Sequence, residues 1–295
     1  MSTALDRIPE RVPGLAEAGL RLSRAVHDAV LAGGRPVRKA VDALHGTWLG
    51  HPLHPVLTDV TVGAWVLGVC YDAVALATGD RFCRRAGDTL AAVGTASALP
   101  TAVTGLADYS TVPMPAAGMA TLHAAVNTVG LTLYAASLAE RRRGRHAAGA
   151  ALAFAGVAAA GLGAYLGGHL VYRHKVGVDH RPEAPEGDGW KPALAEADLA
   201  ERTPTRVEVE GYPVLLYRDG ERVYAIGSVC AHAGGPLEEG EVEGCDDGRC
   251  TVRCPWHDSV FDLRDGRIVH GPSAHPQLAF ETRVRDGQVE VRPRG

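Results

Sequence analysis

Four apolar stretches, at roughly 56–78, 86–107, 117–139 and 147–172, constrain this chain more than any other feature. Each is close to the ~20 residues that cross a ~30 Å hydrocarbon core at ~1.5 Å per residue. A soluble Ala-rich bundle is the alternative, but its helices need a charged stripe facing water, and these stretches are nearly charge-free between their ends. The expected N-terminal architecture is therefore an all-α four-helix transmembrane bundle over 51–175. Gly156, Ala160, Gly161, Gly163, Ala164, Gly167 and Gly168 in the fourth stretch suit close helix contact in lipid. Ahead of the bundle, an arm over 1–50 reads as one or two amphipathic helices across 15–45. They break at Gly33, Gly34 and Pro36, and are expected to lie along the membrane surface.

After the fourth stretch the composition changes. A linker over 176–203 carries Pro182, Pro185, Gly187, Gly189 and Pro192. From 204 to 295 the chain turns to short β-branched runs, Arg206-Val207-Glu208-Val209, Val214-Leu215-Leu216-Tyr217 and Val223-Tyr224-Ala225-Ile226. Asp219-Gly220, Asp265-Gly266 and Asp286-Gly287 are the turn signals of hairpins, so the expected fold is an all-β domain. With 30 basic and 34 acidic residues, nothing points to nucleic acid.

Two loops of the β-domain carry metal-ligand pairs, Cys230-Ala231-His232 and Cys254-Pro255-Trp256-His257. Two thiolates and two imidazoles suit a mixed iron site, and Cys₂His₂ is also a zinc set. Zinc fingers pair Cys with Cys and His with His, whereas each loop here supplies one of each. The stretches CAHAGGPL and CPWHDSVFDLRDG, followed by Gly271-Pro272, resemble the cluster-binding loops and covering proline segment of the Rieske family over about 203–293. The resemblance implies a small β-sandwich whose hairpin tips hold a 2Fe-2S cluster through Cys230, His232, Cys254 and His257, with the histidine rings near solvent.

Departures from the family pattern carry information. The quinol-oxidising members join their two loops through an extra cysteine pair, and Gly235 and Trp256 stand at those positions here, so the domain resembles the ferredoxin and oxygenase branch. Ser259 stands where high-potential members place a hydroxyl that donates to a cluster sulfur, and Phe261 where they place a tyrosine. Asp258 replaces the usual glycine and adds negative charge, which disfavours the reduced cluster. The insertion between the loops holds Glu238, Glu239, Glu241, Glu243, Cys245 and Cys250. Its two cysteines can be free thiols, a local disulfide or part of a second metal site, and free thiols are the expected state. The acidic run reads as solvated surface or as an attraction for a basic redox partner.

Following the spans back and forth puts His51, His54, Asp108, His123 and His169 on one side of the membrane, with the β-domain on that side too. Ionisable groups within a bilayer are costly and so are candidates for function. His123 and His169 could ligate one haem b, or with His54 and Asp59 form a metal or quinone site. The plainer possibility is that these histidines lie at headgroup level. The segment WLGHPLHPVLTDVTVGAW resembles the start of a family of small bacterial four-span membrane proteins, over about 45–175, which implies membrane location. His51-Pro52 and His54-Pro55 also read as turns that start a helix.

The location expected is the cell (inner) membrane, multi-pass. Arg81, Arg84, Arg85, Arg141, Arg142, Arg143 and Arg145 weigh for one orientation; Arg35, Arg38, Lys39, Arg173, Lys175 and Arg181 weigh for the other. With no export signal among the first 50 residues, the β-domain is expected on the cytoplasmic side. The expected function is a membrane-anchored carrier of single electrons to or from a haem, quinone or redox protein. Two further readings are a ferredoxin component of a separate oxygenase or reductase, with the helices only an anchor, and a redox sensor. No dinucleotide fingerprint is present, and the chain has no room after His257 for the mononuclear iron domain of a complete oxygenase.

Overall fold

The computed structural model describes residues 11–294 apart from 13, 186 and 247. The part of the N-terminal arm before residue 11 lies outside the described residues. Contacts divide the chain into two compact units, one made of residues up to Gly33 with Pro52–Val176, the other of Gly34–His51 with Gly177 onward. The stretch read as a single arm is thus shared between them. Helix α1 (Leu15–Ala32) belongs to the first unit and α2 (Gly34–His45) to the second, with the break at Gly33 and Gly34.

In the first unit, α3 (Leu53–Thr78), α4 (Arg81–Tyr109), α5 (Ala117–Arg142) and α6 (His146–Tyr172) are each long and apolar enough to cross a membrane. Gly79 ends α3 in a left-handed turn at φ 73°, and the Asp80 carboxylate caps α4 by accepting from the Cys83 N–H at 2.7 Å. Leu67, Leu76, Leu99 and Leu162 face outward, while Thr61, Asp72, Thr101, Thr104, Ser137 and Arg141 are buried. That distribution inverts the water-soluble pattern and fits helices whose outer surface meets lipid. Inside, Trp65 stacks on Tyr134 with ring centres 4.1 Å apart. Helix α1 joins this unit where the Ser23 hydroxyl donates to the Ser110 carbonyl at 3.1 Å.

One ion network ties all four long helices together. The Arg141 guanidinium of α5 grips both carboxylate oxygens of Asp72 on α3 and donates to Asp88 on α4 at 2.6 Å. Its Nε donates to the Ser137 hydroxyl at 3.0 Å, which in turn donates to the Gly149 carbonyl of α6 at 2.6 Å. His146 of α6 stands 3.4 Å from Asp88. Two carboxylates around one guanidinium in an apolar bundle are tolerated because nearly every polar atom has a partner.

The second unit is built on two antiparallel sheets. The larger contains β1 (Lys191–Ala195), β2 (Thr205–Val209), β3 (Tyr212–Asp219), β4 (Arg222–Gly227), β9 (Ala279–Arg285) and β10 (Gln288–Pro293), in the order β1-β10-β9-β4-β3-β2. The smaller runs β5 (Glu241–Glu243), β6 (Thr251–Arg253), β7 (Val260–Asp262) and β8 (Ile268–His270) in sequence order. Alternate residues of β3 enter different apolar clusters. Leu215 and Tyr217 pack with Val252, Phe261, Leu263 and the two loop cysteines, while Val214 and Leu216 pack with Phe280, Val289 and Val291.

Two expectations change here. The stretch read as linker contributes β1, an edge strand that tolerates Pro192 because the sheet ends there and its register shifts between Pro192 and Leu194. Cys245 and Cys250, expected as free thiols, are joined in a disulfide that closes the turn between β5 and β6. That turn brings the two cysteines together across a short loop, a pairing that the spacing alone left open.

Removing the guanidinium leaves two carboxylates facing each other in an apolar setting. Arg141→Ala is therefore expected to destabilise the helical unit by about 3–5 kcal/mol, measured by thermal unfolding of the detergent-solubilised chain.

Candidate metal centre

The loop carrying Cys230 follows β4 and the loop carrying Cys254 follows β6, and the two close in the same way. The Cys230 N–H donates to the Gly235 carbonyl at 2.8 Å, and the Gly234 N–H returns to the Cys230 carbonyl at 2.8 Å. In the other loop the Cys254 N–H donates to the Ser259 carbonyl at 2.8 Å, and the Asp258 N–H returns to the Cys254 carbonyl at 3.2 Å. Four residues after each cysteine the backbone is left-handed, at φ 79° for Gly234 and φ 61° for Asp258. Glycine meets that demand without strain, and Asp is among the few other residues that adopt it readily.

These loops bring the two pairs together. The Cys230 and Cys254 thiols are buried and hydrogen-bonded to each other. The His232 and His257 rings lie 4.9 Å apart, nearly perpendicular and half-buried. Backbone N–H groups of His232 and Ala233 approach the Cys230 sulfur, and those of Trp256 and His257 the Cys254 sulfur. The neighbouring Cys230 is the largest influence lowering the Cys254 thiol to about 7, and Cys254 in turn pushes the Cys230 thiol up. Burial first, then the nearby His257, His45 and His180, hold His232 well below the usual imidazole range. A neutral imidazole and a thiolate are the forms that bind metal.

Gly235 and Trp256 prove to be neighbours. A Cβ at Gly235 would stand 3.1 Å from the Trp256 ring and 2.8 Å from the Cys254 sulfur. A half-exposed indole lies against the bare Gly235 backbone and brings the two loops into contact there. Ser259 is fully buried, and its Oγ accepts from the Ser273 N–H at 3.1 Å, which leaves its proton to donate elsewhere. Phe261 is buried without a hydroxyl, and Asp258 has Arg253 at 3.8 Å to offset part of its charge.

One contributor escaped the sequence reading. Asp42 of α2 accepts from the Gly271 N–H at 2.8 Å and from His270 Nδ1 at 2.9 Å, so it anchors the segment leading into Gly271-Pro272. His45, one turn on, is buried beside Gly271, and the His180 N–H donates to the Ala231 carbonyl at 3.0 Å. The acidic run is not simply solvated. Glu238 accepts from Ser228 and Arg206, and Glu243 pairs with Arg253.

A model of the Rieske [2Fe-2S] domain matches residues 189–285. The anthranilate 1,2-dioxygenase ferredoxin subunit of Burkholderia cepacia is 33% identical over 103 residues, which are 35% of this chain and 90% of that protein. The chain belongs to the Rieske [2Fe-2S] family. The 3-phenylpropionate/cinnamic acid dioxygenase ferredoxin subunit of Escherichia coli strain K12 is 32% identical over 100 residues, 34% of this chain and 89% of that one. A solved ferredoxin of carbazole 1,9a-dioxygenase from Nocardioides aromaticivorans IC177 is 31% identical, covering 35% of this chain and 96% of its own, with a TM-score of 0.32. Residues 50–180 match the family described as predicted membrane protein (DUF2231), and the four long apolar helices fall within that span. This is thus an electron-carrying Rieske protein, with a 2Fe-2S cluster in its C-terminal domain and a membrane-type helical domain before it.

In the helical unit the histidine rings meet in two pairs. His123 lies beside His54, with ring centres 6.4 Å apart, whereas the His169 ring lies 5.4 Å from that of His174. Asp59 is exposed. Among the described residues of this unit no third His, Cys, Asp or Glu is grouped with either histidine pair around a single metal position.

Two measurements check the C-terminal unit. Gly235→Val drives a side chain into the Cys254 sulfur and is expected to abolish cluster uptake, read as iron per chain. Asp42→Ala leaves the Gly271 N–H without its acceptor, a loss of about 1–3 kcal/mol, and is expected to speed hydrogen exchange at Gly271 more than at the strands of the large sheet.

Proposed function

We propose that the protein is a membrane-bound one-electron carrier in which Cys230 and Cys254 bind one iron of the 2Fe-2S cluster and His232 and His257 the other. The observation that carries this reading is the meeting of two thiols and two imidazoles, sulfur beside sulfur and ring beside ring, on two loops with one hydrogen-bonding pattern. The relatives named as dioxygenase ferredoxin subunits support the carrier role. The DUF2231 match and the four apolar helices favour action at the bilayer, with a redox protein or quinone as the exchange partner.

When bound, the cluster supplies a centre that accepts and returns a single electron. The chain's own groups set the conditions. The buried sulfurs sit where four backbone N–H groups offset negative charge, which favours taking up an electron. The Ser259 hydroxyl points the same way, and Asp258 opposes it. The half-buried imidazoles form the edge at which a partner can approach.

Electron paramagnetic resonance of the reduced full-length protein tests the ligand set. A Rieske-type signal is expected for the native chain. It should vanish in Cys230→Ser, His232→Ala, Cys254→Ser and His257→Ala, and persist in the Cys245→Ser/Cys250→Ser double variant. Persistence in any of the first four would refute the assignment. In redox titration, Ser259→Ala is expected to lower the midpoint potential and Asp258→Gly to raise it.

A further inference from the structure

His54 and His123 share a feature that neither one's position in the chain discloses. His54 Nδ1, on α3, lies 2.9 Å from the Thr101 carbonyl of α4, and His123 Nδ1, on α5, lies 2.9 Å from the Gly163 carbonyl of α6. A carbonyl oxygen only accepts, so each Nδ1 carries the proton and Nε2 is the ring atom left to meet a metal. A backbone carbonyl that fixes the tautomer and the ring orientation is the usual support of a metal-binding imidazole. Glycines make room for both rings. A Cβ at Gly105 would stand 2.8 Å from His54 Cε1, and one at Gly167 would stand 3.1 Å from His123 Cε1. The other polar contacts are Thr104 Oγ1, 3.4 Å from His54 Nδ1, and Asn127 Nδ2, 3.3 Å from each ring nitrogen of His123. Asn127 Nδ2 has its better acceptor in the His123 carbonyl at 2.9 Å.

The separation of the rings selects the ligand. A metal–imidazole bond is about 2 Å, and the ring centre lies roughly 1 Å beyond the nitrogen, so two imidazoles on opposite sides of one ion have centres about 6 Å apart. At a tetrahedral ion they would be about 5 Å apart. A quinone ring placed between two Nε2 atoms, hydrogen-bonded to each, would force the rings much farther apart. The observed 6.4 Å fits the opposed arrangement. Among the described residues no third His, Cys, Asp or Glu is grouped with the pair, and a haem iron, whose macrocycle supplies its other four donors, asks for only two protein ligands.

We propose that His54 and His123, rather than His123 and His169, are the two axial ligands of a b-type haem in the helical unit. The pair gives that unit a one-electron site of its own. Its service as partner to the cluster rests on the proposed function, but its ligand chemistry does not.

The test uses the full-length protein in detergent, titrated with ferric protoporphyrin IX. One equivalent is expected to bind with a low-spin, six-coordinate spectrum, and the perpendicular rings, at 85°, should give a strongly anisotropic low-spin ferric resonance. His54→Ala and His123→Ala should each lose the low-spin form, while His169→Ala keeps it. His54→Met, which retains a ligand atom, should stay low-spin with a raised midpoint potential, an effect that a merely structural histidine would not produce. Non-saturating high-spin uptake, retention of the low-spin form in His54→Ala, or its loss in His169→Ala would overturn the proposal. The Rieske resonance recorded on the same samples reports on the cluster separately, so failure of one assignment is distinguishable from failure of the other.

Discussion

The meeting of the buried Cys230 and Cys254 side chains is the constraint around which the two loops of the C-terminal unit are organised. It requires two loops, from two different hairpins, to present buried sulfurs to each other without a side chain in between. The identical closure of the loops meets that demand, because each cysteine's N–H and C=O are tied back within its own turn. The apolar cluster formed by Leu215, Ile226, Val252 and Phe261 supplies the floor. The arrangement suits the ligand set proposed for a Rieske-type cluster, with sulfur beside sulfur and imidazole beside imidazole.

The helical unit solves a different problem with the same economy. Its outer surface is apolar, so polar groups can only be satisfied inward, and the Arg141 network and the carbonyl-bound histidines are two ways of doing so. The first is closed, with the carboxylates of two helices consumed by one guanidinium. The second engages Nδ1 of each ring, and the approach of Asn127 to His123 Nε2 at 3.3 Å is longer than its bond to the His123 carbonyl at 2.9 Å. A saturated network holds helices in register, whereas an unsaturated one can receive something.

The legible part of this protein was the part whose chemistry is local in sequence. Cys230 with His232, and Cys254 with His257, stand out because one loop must carry both donors, and the four apolar stretches stand out because a bilayer sets their length. Asp42 was invisible because it meets His270 across 228 positions, and nothing in an amphipathic arm marks one acidic residue as an acceptor for a distant loop. The sequence grouped His54 with His123 only as part of a larger set with His169 and Asp59, for a related reason. Depth along a helix can be counted from sequence, but which helix faces which is decided by packing. The strand at Lys191–Ala195 was obscured by the same prolines and glycines that marked a linker, since an edge strand accepts residues that a central strand rejects.

The contact between Trp256 and Gly235 has a bearing on where such a domain can work. An inter-loop disulfide would tie the integrity of the site to an oxidising compartment. An indole resting on a glycine backbone, even one half open to solvent as Trp256 is, holds by close fit rather than by a covalent bond. The two cluster loops are therefore held by a join that thiol reductants cannot cut. The one disulfide described, at Cys245–Cys250, staples a peripheral turn and carries none of that duty.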